Sequence, residues 1–346
     1  MKIGVLGAGS WGLTLAWLWS KAGVDTAKAD VWVWDRKPEK IESIRENRHI
    51  TFPLPIDLPE SIGLVTDFTS ELPDTDIIVL AVTAEGTRSA CQLLQKAGIL
   101  TSTIIVNTSK GIELSSLKRL SQVIQEELPR NRQAVLSGPT LAKEVLKGLP
   151  TAASIASEDL DLAEQLQSCL SRDYHLRLYS NPDVTGVELG GALKNIFAIS
   201  SGYITGKELG DNARAAFLTR GLAEMTRFSI RLGAQEMTLY GLSGLGDLLA
   251  TSSSPLSRNF QVGYLLAQGK KLPEILEEIK VVAEGVQTAQ AVKLLAEKLD
   301  VDMPIVQELN RALFESPSEA LLIKSLMGRK LTSEKSMGSN FAQERI

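Results

Sequence analysis

Six residues near the start constrain the folding of this chain most. Gly7-Ala8-Gly9-Ser10-Trp11-Gly12 follows directly on an apolar run, Ile3-Gly4-Val5-Leu6, and leads into a helical pattern through Leu13, Ala16 and Trp17. A G-x-G-x-x-G set between a strand and a helix is the context in which such glycines bind a dinucleotide. They permit a tight turn and let backbone N–H groups approach a pyrophosphate at the positive end of the helix. The plainer alternative is a strand-to-helix turn without a ligand. Gly7, Gly9 and Gly12 are the first expected cofactor residues.

Further apolar runs of strand length recur at 31–34, 77–82, 103–106, 134–136 and 151–155. Short continuous apolar runs separated by helical segments predict a parallel sheet buried on both faces. Beyond about Leu178 the period becomes helical. Leu218, Leu222, Met225 and Leu232 fall close to one face, and 260–268, 286–299 and 304–314 repeat the pattern. Between the two regimes stands a turn signal, Ser180-Asn181-Pro182-Asp183. The expected fold class is α/β followed by all-α. A Rossmann-type, doubly wound nucleotide-binding domain occupies 1–181, a helical substrate domain 182–331, and a polar, patternless tail 332–346. A length of 346 residues accommodates both domains.

The chemistry open to this chain is narrowed by two scarce residue types, His and Cys, with two of each. Cys91 and Cys169 are too few and too far apart for a disulfide framework, and no Cys/His cluster has metal-ligand spacing, so no metal is expected. In an intracellular protein both thiols stay reduced. His49 lies in an Arg-rich stretch and His175 between Tyr174 and Leu176, so acid–base work falls to Lys, Asp or Glu. Acidic residues number 41 against 37 basic ones, with no basic block, which argues against nucleic acid and anionic membranes as partners. The first residues lack a basic stretch ahead of an apolar one, and the greasiest later segment, 11–19, is well short of the ~20 residues of a spanning helix. A cytoplasmic protein without membrane insertion is expected.

Several segments carry candidate chemistry. Asp35 ends the second strand run 28 residues after Gly7 and is followed by Arg36 and Lys37. A carboxylate there favours a ribose diol and NAD, whereas cations favour a 2′-phosphate and NADP. Lys110, in Asn107-Thr108-Ser109-Lys110-Gly111, falls at the carboxyl end of a strand, where such sheets bind ligands; Ser137-Gly138-Pro139-Thr140 leaves another strand, an ordinary turn being the plainer reading. Glu188-Leu189-Gly190-Gly191-Ala192-Leu193-Lys194-Asn195 sets Lys194 on a helical stripe of small residues. Two glycines in a helix interior cost roughly 1 kcal/mol each, a penalty tolerated where backbone or ligand must approach. Asp247 precedes a helical pattern and is read equally well as a cap, whereas for Glu284, at another helix start, capping is the plainer reading. Ser257-Arg258-Asn259 opens another helix as an anion cradle. Capping explains Ser257, but Arg258 opposes the local dipole unless an anion sits there.

In this order, these segments resemble the bacterial-type NAD(P)-dependent glycerol-3-phosphate dehydrogenases. The resemblance runs from GAGSWG at residue 7 through NTSKGIE (107–113), SGPTLAKEV (137–145), VELGGALKNIFAI (187–199), LGDNARAAFLTRGLAEM (209–225), GLSGLGDLL (241–249), LSRNFQVG (256–263) and VAEGVQTA (282–289) to MPI at 303. It implies reversible reduction of dihydroxyacetone phosphate to sn-glycerol 3-phosphate for phospholipid synthesis, with NADPH or NADH. It also implies a second domain like the C-terminal domain of 6-phosphogluconate dehydrogenase. Position by position, Ser10, Trp11 and Arg36 match nucleotide contacts, and Lys110 matches a residue touching nucleotide and substrate. Gly138 and Thr140 match substrate positions and Ala142 a nucleotide one. Lys194 matches the general acid–base, with Asp247, Ser257, Arg258 and Asn259 around the substrate; Arg258, Val282 and Glu284 match nucleotide contacts. Lys110, Lys194 and Arg258 are expected to gather at an interdomain cleft. The expected partner is the small-molecule substrate, with a homodimer as the candidate assembly.

Three departures stand out: a long first loop at 24–30, Asp35 beside Arg36, and Phe260 where relatives often carry a second Arg. The first two leave coenzyme preference open. A β-hydroxyacid dehydrogenase acting on a carboxylate would also use a helix lysine, and a non-catalytic NAD(P) sensor would need none.

Overall fold

The computed structural model describes residues 1–21, 27–51, 54–172, 175–279, 283–315 and 328. Val282, residues 22–26 of the long first loop and the expected tail at 332–346 lie outside the described residues. The chain packs as two compact units, one formed by Met1–Lys110 with Lys118–Glu188, the other by Gly111–Leu117 with the chain from Leu189 onward.

Eight strands of the first unit form one sheet: β1 (Lys2–Leu6), β2 (Asp30–Trp34), β3 (Ile62–Val65), β4 (Ile77–Leu80), β5 (Ile104–Asn107), β6 (Gln133–Ser137), β7 (Ala152–Ala156) and β8 (Arg177–Asn181). Their helices are α1 (Ser10–Trp19), α2 (Pro38–Asn47), α3 (Thr87–Lys96), α4 (Leu120–Glu127), α5 (Ala142–Leu146) and α6 (Leu160–Leu170). The strand order is β8-β7-β6-β5-β4-β1-β2-β3. From β1 the chain moves outward through β2 and β3, then returns to the other side of β1 as β4. The order therefore reverses between β1 and β4, where open α/β sheets bind ligands beyond the carboxyl ends of their strands. In register, Leu6 faces Trp34 on one side and Leu80 on the other. Ile3, Val5, Val31 and Val79 pack under Leu15 and Trp19 on one face; Leu6, Trp32, Ile78 and Leu80 pack with Leu94 and Ile124 on the other. Burial on both faces is what the continuous apolar runs predict.

The sheet departs from expectation in one pairing. Strands β6 and β7 are antiparallel, with Leu136 opposite Ile155. The link between them, residues 138–151, holds a single short helix, α5, whose rise of about 7.5 Å is less than half the ~17 Å length of β6, so it does not act as the crossover helix of a βαβ unit. Both sheet edges, β3 and β8, escaped the sequence reading because each is buried on alternate residues at most, with Arg177 and Tyr179 of β8 exposed. Strand β8 runs to Asn181, into the expected turn.

In the second unit α7 (Val184–Gly206), whose first turn belongs to the first unit, is followed by α8 (Gly210–Arg231), α9 (Glu236–Leu239), α10 (Asp247–Ser252), α11 (Arg258–Ala267), α12 (Leu272–Ile279), α13 (Glu284–Leu299) and α14 (Pro304–Phe314). A π-helical turn, Leu242–Gly246, leads into α10. Leu189, Leu193, Phe197, Met225, Phe228, Val292 and Val306 form the core, with Leu218, Leu222 and Leu232 packed against it as their spacing predicts. Glu224, buried on α8, accepts hydrogen bonds from the Ile305 and Val306 N–H groups at the start of α14. Burial pushes its carboxyl up to about 8, against the pull of those N–H donors. Among the described residues no helix is long and apolar enough to cross a membrane.

Candidate active site

In the first unit the glycine loop has two different functions. Gly7 has φ +113°, and a Cβ there would stand 2.4 Å from the Ala81 carbonyl oxygen at the end of β4; a Cβ on Gly12 would stand 2.0 Å from the Gly7 oxygen. These two glycines let β1, α1 and the end of β4 close upon one another. Gly9 is different, because a Cβ there would meet nothing within 4 Å. Gly9 also caps α1 without a side-chain hydrogen bond, and no acidic residue lies in the first turn. Among the described residues, the first N–H groups of α1, beside half-buried Ser10 and Trp11, are therefore unclaimed by side chains, which fits a phosphate at that end. Arg36 is exposed just past β2 and has no ion pair among the described residues.

Beyond the end of β5, Thr108 and Ser109 donate their hydroxyls to the Leu80 and Val82 carbonyls, at 2.8 and 2.7 Å. This stitching directs Lys110, whose Nζ lies 3.0 Å from the Gly138 carbonyl oxygen; the Thr140 hydroxyl donates to the same oxygen at 3.1 Å. Two segments read separately in the sequence thus meet at one carbonyl. Gly138 sits at φ +156°, and a Cβ would come within 2.8 Å of the Ala153 Cα. Ala142 begins α5, which packs against α1.

In the second unit the centre is Lys194, 6% exposed on α7. Its Nζ donates to Asp247 Oδ1 at 2.9 Å and to Thr251 Oγ1 at 2.7 Å, and the Thr251 hydroxyl donates to the same Asp247 oxygen at 3.1 Å. The glycines of α7 explain how two helices meet so closely: a Cβ on Gly190 would lie 2.6 Å from the Ser243 carbonyl oxygen in the π-helical turn. That turn delivers Asp247 to Lys194, a placement typical of π-turns at functional sites. Asp247 is not a helix cap, since Gly246 occupies that position and the carboxylate turns to Lys194. Thr251 was not singled out by sequence; a threonine in a helical pattern gives no sign that its hydroxyl meets a residue 57 positions away.

Ser257 does cap α11, accepting from the Phe260 N–H at 3.3 Å. Arg258 follows, exposed in the first turn with no ion pair among the described residues. Asn259 is buried and joins three segments: its Nδ2 donates to Asn195 Oδ1 at 2.8 Å, and its Oδ1 accepts from the Gly285 N–H at 3.1 Å. Glu284 is the first residue of α13, after Ala283 at the cap, so the capping alternative fails for it as well. Neither His49, exposed against Asp57 in a short ribbon, nor exposed His175 belongs to either group. Among the described residues no cluster of His, Cys, Asp and Glu could hold a metal ion.

Comparison with known proteins gives a consistent picture. Residues 2–163 match the N-terminal, and residues 183–323 the C-terminal, family model of NAD-dependent glycerol-3-phosphate dehydrogenase. The chain is 42% identical over 329 residues to a glycerol-3-phosphate dehydrogenase (NAD(P)+) of a Thermoanaerobacter species, covering 95% of this chain and 97% of that one. It is 43% identical over 336 residues to the enzyme of that name from Thiobacillus denitrificans, covering 96% and 100%. Among solved structures, glycerol-3-phosphate dehydrogenase of Coxiella burnetii superposes with a TM-score of 0.86 at 32% identity, over 95% of this chain and 99% of that one. On these matches the chain belongs to the NAD-dependent glycerol-3-phosphate dehydrogenase family.

Proposed function

We infer that the protein catalyses reversible reduction of dihydroxyacetone phosphate to sn-glycerol 3-phosphate with NADPH or NADH, a step that feeds glycerophospholipid synthesis. The observation that carries this reading is the buried Lys194, Asp247 and Thr251 group in a chain of this family. We assign 1–181 to the coenzyme and 182–331 to the substrate.

Bound at the glycine loop, the coenzyme supplies a hydride to the ketone carbon, or accepts one from the alcohol. Everything else falls to the protein. As hydride arrives, negative charge grows on the former carbonyl oxygen, and Lys194 as ammonium donates a proton to it; in the reverse direction the amine accepts the hydroxyl proton. An ammonium has three N–H bonds. Two of them are directed at Asp247 and Thr251, which fixes the orientation of the group that delivers the proton. Asp247 holds the lysine charged while it waits. Arg258, Ser257 and Asn259 are assigned to the phosphate end of the substrate. Support comes from the exposed guanidinium in the first turn of α11, which has no ion pair among the described residues and whose charge opposes the dipole unless an anion is present. Lys110, with Gly138 and Thr140, is assigned to the carbonyl end, and Ala142, Arg258, Val282 and Glu284 to the coenzyme. A homodimer and a cytoplasmic location complete the proposal, to be tested by sedimentation and cell fractionation.

The decisive assay follows nicotinamide absorbance with dihydroxyacetone phosphate, once with each coenzyme, beside a panel of β-hydroxyacids. Turnover of the phosphate ester, lost in Lys194→Ala, is expected. Turnover of a hydroxyacid alone, or of nothing despite coenzyme binding, would overturn the reading.

A further inference from the structure

Sequence leaves coenzyme preference open because Asp35 and Arg36 pull in opposite directions, and the structure shows how one of them is disarmed. The end of β2 is where the adenosine ribose lies on a sheet of this kind, and a carboxylate there ordinarily accepts from the ribose hydroxyls. Asp35 is engaged elsewhere. Its Oδ2 accepts from the Ala8 N–H at 3.0 Å, inside the glycine loop, and from Lys40 Nζ at 2.9 Å; its Oδ1 accepts from the Lys37 N–H at 3.2 Å. The carboxylate is 13% exposed and faces an ammonium from the first turn of α2. Beside it Arg36 and Lys37 are exposed, with no ion pair among the described residues, and the exposed Glu39 is the other acid of that turn. With Asp35 cancelled by Lys40, the surface at the end of β2 is net cationic.

We propose that Lys40 is the specificity-determining residue for the coenzyme: by pinning Asp35 to the glycine loop and cancelling its charge, it makes the end of β2 accept a 2′-phosphate, so that NADPH binds more tightly than NADH. The proposal rests on the coenzyme reading above and adds to it a direction and a residue. Lys40 does not touch the phosphate in this scheme; it acts through Asp35. A 2′-phosphate beside an uncompensated carboxylate is repelled, whereas a ribose diol is not, so losing Lys40 discriminates between the two coenzymes. A role confined to supporting the loop would weaken both alike.

Dissociation constants for NADPH and NADH, read from quenching of intrinsic tryptophan fluorescence without substrate, test this on the intact protein. Wild type is expected to bind NADPH more tightly. Lys40→Met raises the NADPH constant by about tenfold, the scale of one partly exposed charge gained or lost. Over the same change the NADH constant moves by less than about threefold. Lys40→Arg keeps the preference, and adding Asp35→Asn to Lys40→Met restores NADPH binding, because no charge then needs cancelling. Equal weakening of both coenzymes, no recovery in the double variant, or a wild type that prefers NADH would overturn the proposal and leave the coenzyme reading standing. Folded wild type that binds neither coenzyme would overturn both.

Discussion

Lys194 Nζ and Asp247 Oδ1 stand 2.9 Å apart with both side chains nearly sealed from solvent. A buried ion pair contributes little net stability, but removing one partner strands the other's charge and costs about 3–5 kcal/mol. Asp247→Asn, nearly isosteric, is therefore expected to lower unfolding stability by that order in urea titrations. It should also lower kcat, because the lysine loses the group that holds it charged and aimed. Lys194→Ala strands the carboxylate instead and removes the proposed proton donor, for an expected loss in kcat of about 10²- to 10⁴-fold. Near-normal turnover in Lys194→Ala at saturating substrate would remove the lysine from the chemistry.

Thr251 separates orientation from charge. Thr251→Val keeps the volume and deletes the hydroxyl that accepts from Lys194 and donates to Asp247. A hydrogen bond to a charged group is worth about 1.5–3 kcal/mol, so kcat should fall by about tenfold or more with KM little changed. Thr251→Ser, which keeps the hydroxyl, should recover most of it. Equal activity in the two variants would confine the residue to packing.

The N-terminal sheet was legible because interior strands buried on both faces appear as unbroken apolar runs, as β4 and β5 do. Strand direction is not written in such runs, so the antiparallel turn into β7 was invisible. Edge strands β3 and β8 mix polar and apolar residues and merge with loops. Lys194 was legible for an energetic reason: two adjacent glycines inside a helix demand an explanation, and the close approach of Ser243 to Gly190 supplies it. Asp247 could be found but its role could not, since a cap and a lysine partner look alike in one dimension. Thr251 and the Asn195–Asn259 junction depend wholly on tertiary contact.

Arg258 is tested through the substrate phosphate. If the guanidinium binds phosphate alike in ground and transition states, Arg258→Ala raises the KM for dihydroxyacetone phosphate by about 10- to 100-fold with kcat little altered. Stability should not fall, because the exposed arginine has no ion pair among the described residues. An unchanged KM would remove Arg258 from the phosphate.

The glycine loop predicts opposite outcomes for two similar substitutions. Gly9→Ala places its Cβ in open space at φ −76°, so stability holds or rises slightly. Coenzyme affinity falls by about tenfold, because the methyl occupies the approach of the pyrophosphate. Gly12→Ala drives a Cβ to 2.0 Å from the Gly7 oxygen, overpacking expected to cost about 1–3 kcal/mol before any ligand is added. Isothermal titration beside thermal denaturation reads both effects. Affinity unchanged in Gly9→Ala would move the pyrophosphate elsewhere.

Glu224 gives the fold a pH dependence whose sign can be worked out. Burial raises its carboxyl from 4.5 to about 8, so between those values the native protein keeps a proton that the unfolded chain has released. Wherever the native state binds more protons, stability falls as pH rises. This group therefore contributes a progressive loss of stability from about pH 4.5 up to about pH 8, and little change above. The geometry accommodates the neutral acid, since one oxygen accepts from the Ile305 N–H at 2.9 Å and the second contact, to the Val306 N–H, is long at 3.4 Å. Glu224→Gln preserves the shorter bond and cannot ionise. It should match wild type near pH 5, exceed it near pH 8, and flatten the stability profile between, as measured by urea unfolding across that range. A variant less stable than wild type by the same margin at both pH values would show that the carboxyl is ionised when native, held by the start of α14 as an anion.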